Sequence, residues 1–133
     1  MSDLAHISET LNERIKNLGK YRGFPRPRTT PTPDDVFDLF LAELSHAELK
    51  VLLYIVRRTF GFKKDSDTIS LKQITDGIKK RDGSILDRGA GVSERTAIRA
   101  IQTLENRGLI KVERNVSDRR GHEINKYSLH FSG

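Results

Sequence analysis

Apolar positions along the chain fall into blocks of different period. Leu4, Ile7, Leu11, Ile15 and Leu18 recur every three or four residues, which predicts an amphipathic helix ending at Gly19. So short a helix is marginal alone in water, so it must pack on its own domain, on a second copy or on another protein. Residues 21–33 hold all four prolines and no apolar period, the mark of an extended linker. Asp34 and Asp35 then suit a helix start, and Val36, Phe37, Leu39, Phe40, Leu41 and Leu44 give that helix a broad apolar face. Ser45 with Glu48 three residues on has the capping-box spacing. Behind it, Leu49 and the unbroken apolar run Val51 to Val56 predict a central core helix ending near Gly61.

Residues 63–67 read as a polar turn, and Thr68-Ile69-Ser70 as a short strand. Leu71, Ile74 and Ile78 predict a helix over about 71–80. The glycines and charges of 79–91 predict a long loop. Ser93 caps a helix running to Arg107 and closed by Gly108. Its buried stripe is expected to be Ala97, Ile98, Ile101 and Leu104, with Arg95, Thr96, Arg99, Gln102, Thr103 and Asn106 opposite. Alternation over Leu109–Arg114 and again over Ile124–Phe131, around a basic turn at 115–122, predicts a β-hairpin.

Composition narrows what such a chain can do. The 133 residues carry a net charge of +6, and the sequence has no cysteine. Disulfides, thiolate metal sites and a cysteine nucleophile are therefore excluded. No apolar run approaches the ~20 residues of a membrane span, and the N-terminus lacks the basic-then-apolar layout of a secretory signal. A cytoplasmic protein is the expectation. Positive charge is segregated. Residues 1–33 carry six basic against three acidic side chains, and residues 88–122 eight against four, while 34–87 carry nine against ten. Such a distribution favours an anionic partner, and nucleic acid is the commonest.

The order core helix, short strand, helix, loop, polar-faced helix, basic hairpin is that of a winged helix-turn-helix. The expected fold is thus mainly α with a small β-hairpin, an α+β chain. An N-terminal helix (1–20) and a Pro/Arg-rich linker (21–33) precede the winged helix (34–133). A helix of this kind fits a major groove with its N-terminal side chains nearest the bases. Arg95, Thr96, Arg99 and Gln102 are accordingly the candidates for base or groove contacts. Ser93, Lys72, Gln73, Arg114, Arg119 and Arg120 are the candidates for phosphate contacts. Arg22, Arg26 and Arg28 form a basic arm that could lie in a minor groove, although Pro25 stands where an AT-hook has glycine. Leu4, Ile7, Leu11, Ile15 and Leu18 are the candidate oligomerisation face of a homodimer through residues 1–18.

Three stretches carry a family resemblance: "ELKVLLYIVRRTFGF" (48–62), "DTISLKQITDGI" (67–78) and "GVSERTAIRAIQTLENRGLI" (91–110). Together they resemble the N-terminal DNA-binding domain of the phage replication protein O family, and Arg58-Thr59-Phe60-Gly61-Phe62 is the most characteristic part. The resemblance implies a winged helix that binds phage or plasmid origin DNA, usually as a dimer, with a C-terminal region recruiting the helicase or its loader. The sequence departs from that pattern in two places. It stops at Gly133, so no helicase-recruiting region is expected, and it has the long loop 79–91 where a simple helix-turn-helix has a short turn.

Catalysis is not expected. His6, His46, His122 and His130 are scattered over separate elements, with no metal-ligand or nucleophile spacing. Asp65-x-Asp67 lacks the glycine and distal glutamate of a calcium loop. Gly89-Ala90-Gly91 is not followed by the Gly-Lys-Ser/Thr of a phosphate loop. No cofactor is expected. Three functions fit: sequence-specific binding of double-stranded DNA in phage or mobile-element replication, transcriptional regulation with the same DNA chemistry, and a winged helix used to bind another protein.

Overall fold

The computed structural model describes residues 10–25, 28–117 and 123–132. Among them the architecture is α+β, as the alternation of periods predicts. The order is α1 (Leu11–Ile15), α2 (His46–Thr59), β1 (Ser66–Ile69), α3 (Leu71–Asp76), β2 (Ile78–Lys79), β3 (Ile85–Asp87), α4 (Glu94–Asn106), β4 (Ile110–Ser117) and β5 (Glu123–Leu129). A 3-10 turn, Leu18–Lys20, follows α1. Strands β1, β5 and β4 form an antiparallel sheet in that order, while β2 and β3 pair separately.

Helix α2 is the centre of the fold. Ser45 starts it with the reciprocal cap that the spacing predicts: its hydroxyl accepts from the Glu48 N–H (3.2 Å), and its own N–H donates to the Glu48 carboxylate (3.0 Å). Val51, Leu52, Tyr54, Ile55 and Val56 are buried, and α2 packs on α4 and β5. The continuous apolar run does not make the helix apolar all round, for Leu53 is 38% exposed. Thr59 is wholly buried because its hydroxyl donates to the Ile55 carbonyl at 2.8 Å.

The segment before α2 differs from the predicted regular helix. Residues 36–40 form a π-helical turn and only Val36 and Leu44 are buried, with Phe40 packed partly against the core. Phe37, Leu39 and Leu41 are each more than half exposed. Apolar residues packed this densely cannot all face one side of so short a turn.

The helix predicted over 71–80 stops at Asp76, and Ile78 belongs to a strand. Gly77 explains the stop. Its φ is +90°, and a Cβ there would collide with the Asp87 carbonyl oxygen and lie 2.6 Å from the Gly89 nitrogen. The loop predicted over 79–91 is a second hairpin, β2–β3, with Ile78 opposite Asp87 and Lys79 opposite Ile85. On α4 the buried stripe is Ala97, Ala100, Ile101 and Leu104. Ile98, expected inside, is 42% exposed and Ala100 takes its place. The terminal hairpin forms where the alternation predicts, with Ile110, Tyr127 and Leu129 buried, but β4 runs on through Ser117, past the predicted start of its turn, and β5 ends at Leu129, short of the predicted Phe131, which is 58% exposed.

Candidate nucleic-acid interface

Helix α4 is positioned from both ends. Ser93 accepts the Thr96 N–H (3.2 Å) and donates its hydroxyl to the Thr96 Oγ1 (2.9 Å). The Leu109 N–H donates to the Leu104 carbonyl beyond the C-terminus. With Ala97, Ala100, Ile101 and Leu104 locked in the core, the opposite face is fixed outward. Arg95, Ile98 and Arg99 are exposed there and line a shallow depression with Glu94. Arg95 and Arg99 sit one turn apart on one face. Among the described residues neither makes an ion pair or hydrogen bond, so both guanidiniums are free.

The other sequence candidates fall in different settings. Thr96 is half-buried and its hydroxyl is already engaged by Ser93. Gln102 is exposed at the lip of a cleft of about 270 Å³ between α4 and the sheet, beside Ile98, Arg114 and Asn125. Gln73 is committed to its own helix, for its side-chain carbonyl accepts the Ser70 N–H at 2.9 Å. Lys72, next to it, is exposed.

Arg114 is held in a two-pronged pair with Glu105, at 2.9 and 2.6 Å. The pair fastens β4 to α4. Arg114's hydrogen bonds hold the Glu105 carboxyl below its ordinary pKa, and Glu105 in turn raises that of the guanidinium. Arg114's charge is thereby matched inside the molecule.

Arg119, Arg120 and Arg26 lie outside the described residues, as do Leu4 and Ile7. Arg22 and Arg28 are exposed. Leu11 and Ile15 are half-buried, and Leu18 is exposed in the turn after α1. The described part of α1 rests on this chain's own second hairpin: the Asn12 amide donates to the Gly83 carbonyl (3.1 Å) and its oxygen accepts from the Ile85 N–H (2.8 Å).

A polar network missed in the sequence ties this hairpin to α2. Asp87 accepts from the Tyr54 hydroxyl (3.2 Å) and the Gly89 N–H (2.8 Å), and pairs with Arg58 (3.5 Å). Arg58 also pairs with Asp67 of β1 (3.6 Å). Burial first, and then the neighbouring Asp87, push the Tyr54 hydroxyl well above its ordinary pKa. The available signal was Tyr54 inside an apolar run, with Arg58 one turn on. A buried tyrosine needs a partner for its hydroxyl.

A family model, bacteriophage replication protein O, matches residues 31–127, or 97 of the 133 residues. The chain belongs to the bacteriophage replication protein O family. Its role is accordingly in phage replication. The match takes in the π-helical turn, the β2–β3 hairpin, α4 and the β4–β5 hairpin up to Tyr127, and leaves α1 outside it. No curated protein and no solved structure matches the chain. No helix among the described residues is long and apolar enough to cross a membrane.

Proposed function

We propose that this member of the replication protein O family binds double-stranded DNA sequence-specifically as a winged helix. Helix α4 lies in the major groove and the β4–β5 hairpin flanks it. The observation that carries this reading is the outward face of α4, where two unpaired arginines one turn apart stand on a helix whose other face is locked in the core. Such arginines can each pair with the guanine edge in two bonds. Arg95 and Arg99 read bases, Gln102 contributes from the end of the same face, and Thr96 and Ser93 hold the helix start. Lys72 meets a phosphate. Arg114 braces the wing rather than touching DNA, because its charge is already matched by Glu105.

The test is selection from a random duplex library at about 150 mM salt, where non-specific contacts fade. An enriched motif is expected, and Arg99→Ala should cost about 1–3 kcal/mol on it while relaxing preference at one position. Equal losses on all sequences would make Arg99 a phosphate contact. Weak, sequence-blind binding by the unaltered chain would sink the reading and favour a protein partner.

A further inference from the structure

The β2–β3 hairpin stands where a helix-turn-helix needs only a short turn, and its side chains carry an excess of positive charge. Lys79, Lys80, Arg81 and Arg88 are all exposed. Among the described residues none of the four makes an ion pair. Of the two acids in the hairpin, Asp87 is taken up by Arg58, Tyr54 and the Gly89 N–H. Asp82 is exposed at the tip, where its carboxylate accepts both the N–H and the hydroxyl of Ser84 at 2.9 and 2.6 Å.

The hairpin is also held firmly. Its stem is pinned by the close approach of Gly77 to Gly89 and by the Ala90 and Gly91 N–H groups, which donate to the Ile74 and Thr75 carbonyls of α3. Its tip is closed by Lys80 N–H to Ser84 carbonyl (2.8 Å) and Gly83 N–H to Lys80 carbonyl (3.0 Å). Asn12 of α1 grips the Gly83 carbonyl and the Ile85 N–H. A three-residue strand carries such a tip about 10 Å out from the stem. Only residues 89–93 separate Arg88 from the start of α4. A basic hairpin joined to α4 by residues 89–93 has the form of a backbone clamp.

We propose that the β2–β3 hairpin is a second DNA-binding wing, whose Lys79, Lys80 and Arg81 hold phosphates next to the segment that α4 reads. The proposal rests on the DNA-binding reading of α4 and adds to it an element with no part in base recognition. Phosphate contacts act on all sequences alike and release counterions.

The experiment compares the full chain with Lys79→Ala/Lys80→Ala/Arg81→Ala on one selected duplex and one unrelated duplex, from 50 to 200 mM salt. The triple variant should lose about 2–3 units of the log–log salt slope, and about tenfold or more in affinity at the low-salt end, equally on both duplexes. Lys79→Arg/Lys80→Arg keeps the charge and should keep the slope. If the charge-keeping variant falls as far as the alanine variant, hairpin shape rather than charge is at work and the proposal fails. An unchanged slope in the triple variant, with the unaltered chain still binding, overturns the second wing and leaves the α4 reading intact. Failure of the unaltered chain to bind either duplex removes the α4 reading, and the second wing with it.

Discussion

The two hairpins of this domain are held by opposite means. The β4–β5 hairpin, paired on β1, is fastened by apolar burial: Ile110, Tyr127 and Leu129 point into the core under α2 and α4. In the β2–β3 hairpin Leu86 is exposed and Ile78 and Ile85 are only half-buried. Hydrogen bonds, an ion pair and two glycines hold it instead. Burial is non-directional and follows area, so it tolerates adjustment. A polar anchor depends on each partner being in place, because an unmatched buried group costs its full desolvation. The first hairpin is thus part of the global fold, and the second is an attachment with its own local stability.

The sharpest break in this contrast comes from Tyr127→Ala. Tyr127 is 2% exposed and sits opposite both Val112 and Asp67 in the sheet. Its removal leaves a cavity at the centre of the domain and should cost about 3–5 kcal/mol. Because the hairpin shares the core, chemical denaturation should remain one transition at a lower midpoint. A separate early transition confined to β4–β5 would contradict the shared core.

Next is Gly77→Ala. The residue sits at φ +90°, and the new methyl would collide with the Asp87 carbonyl. A loss of roughly 2–3 kcal/mol is expected from strain and overpacking together. The backbone of the second hairpin has to move, so hydrogen exchange at Ile85 and Gly89 should speed up more than at Tyr127. Uniform acceleration would show that the two hairpins open together after all.

These two sites also mark how much of the fold was legible. Tyr127 and Leu129 announce their strand by alternation, and Ser45 with Glu48 announces its helix by a cap, because each signal is local in sequence. The β2–β3 hairpin had no such signal. Its strands are two and three residues long and its anchors come from afar: Asn12 lies 71 residues from Gly83, and Tyr54 33 from Asp87. Block counting of charge hid its basic tip, since residues 34–87 sum to nearly zero. On α4 the arginine face was legible from period alone, but the exchange of Ile98 for Ala100 was not. Close packing of α4 on α2 and α3 favours the small side chain, and that choice depends on neighbours rather than on hydropathy.

Asp87→Ala sharpens the comparison from the polar side. It removes the partner of the Tyr54 hydroxyl, of the Gly89 N–H and of one arm of Arg58. The expected loss is about 2 kcal/mol, the price of groups left unmatched rather than of contact area. Tyr54→Phe/Asp87→Ala should recover part of that loss, since one orphaned hydroxyl is gone. No recovery in the double variant would mean that the hydroxyl contributes little to the anchor.

The smallest effect is acid sensitivity, and each hairpin has its own carboxylate for it. Glu105 of α4 is kept below its ordinary pKa by the hydrogen bonds of Arg114 on β4, and Asp82 by those of Ser84 at the β2–β3 tip. A carboxyl depressed in the folded state stabilises the fold above its unfolded pKa, about 4.3 for Glu and 3.9 for Asp. That contribution fades as pH falls through the lower folded value. Both groups are open to water, so acidification should loosen local structure without unfolding the domain. Amide resonances on β4 should follow Glu105, and that of Ser84 should follow Asp82, each below the ordinary carboxylate range. Glu105→Gln should abolish the first titration and leave the second. If both amide sets lost their titration together in that variant, the two hairpins would be electrostatically joined, and the separation of a core-held hairpin from a polar-anchored one would not stand.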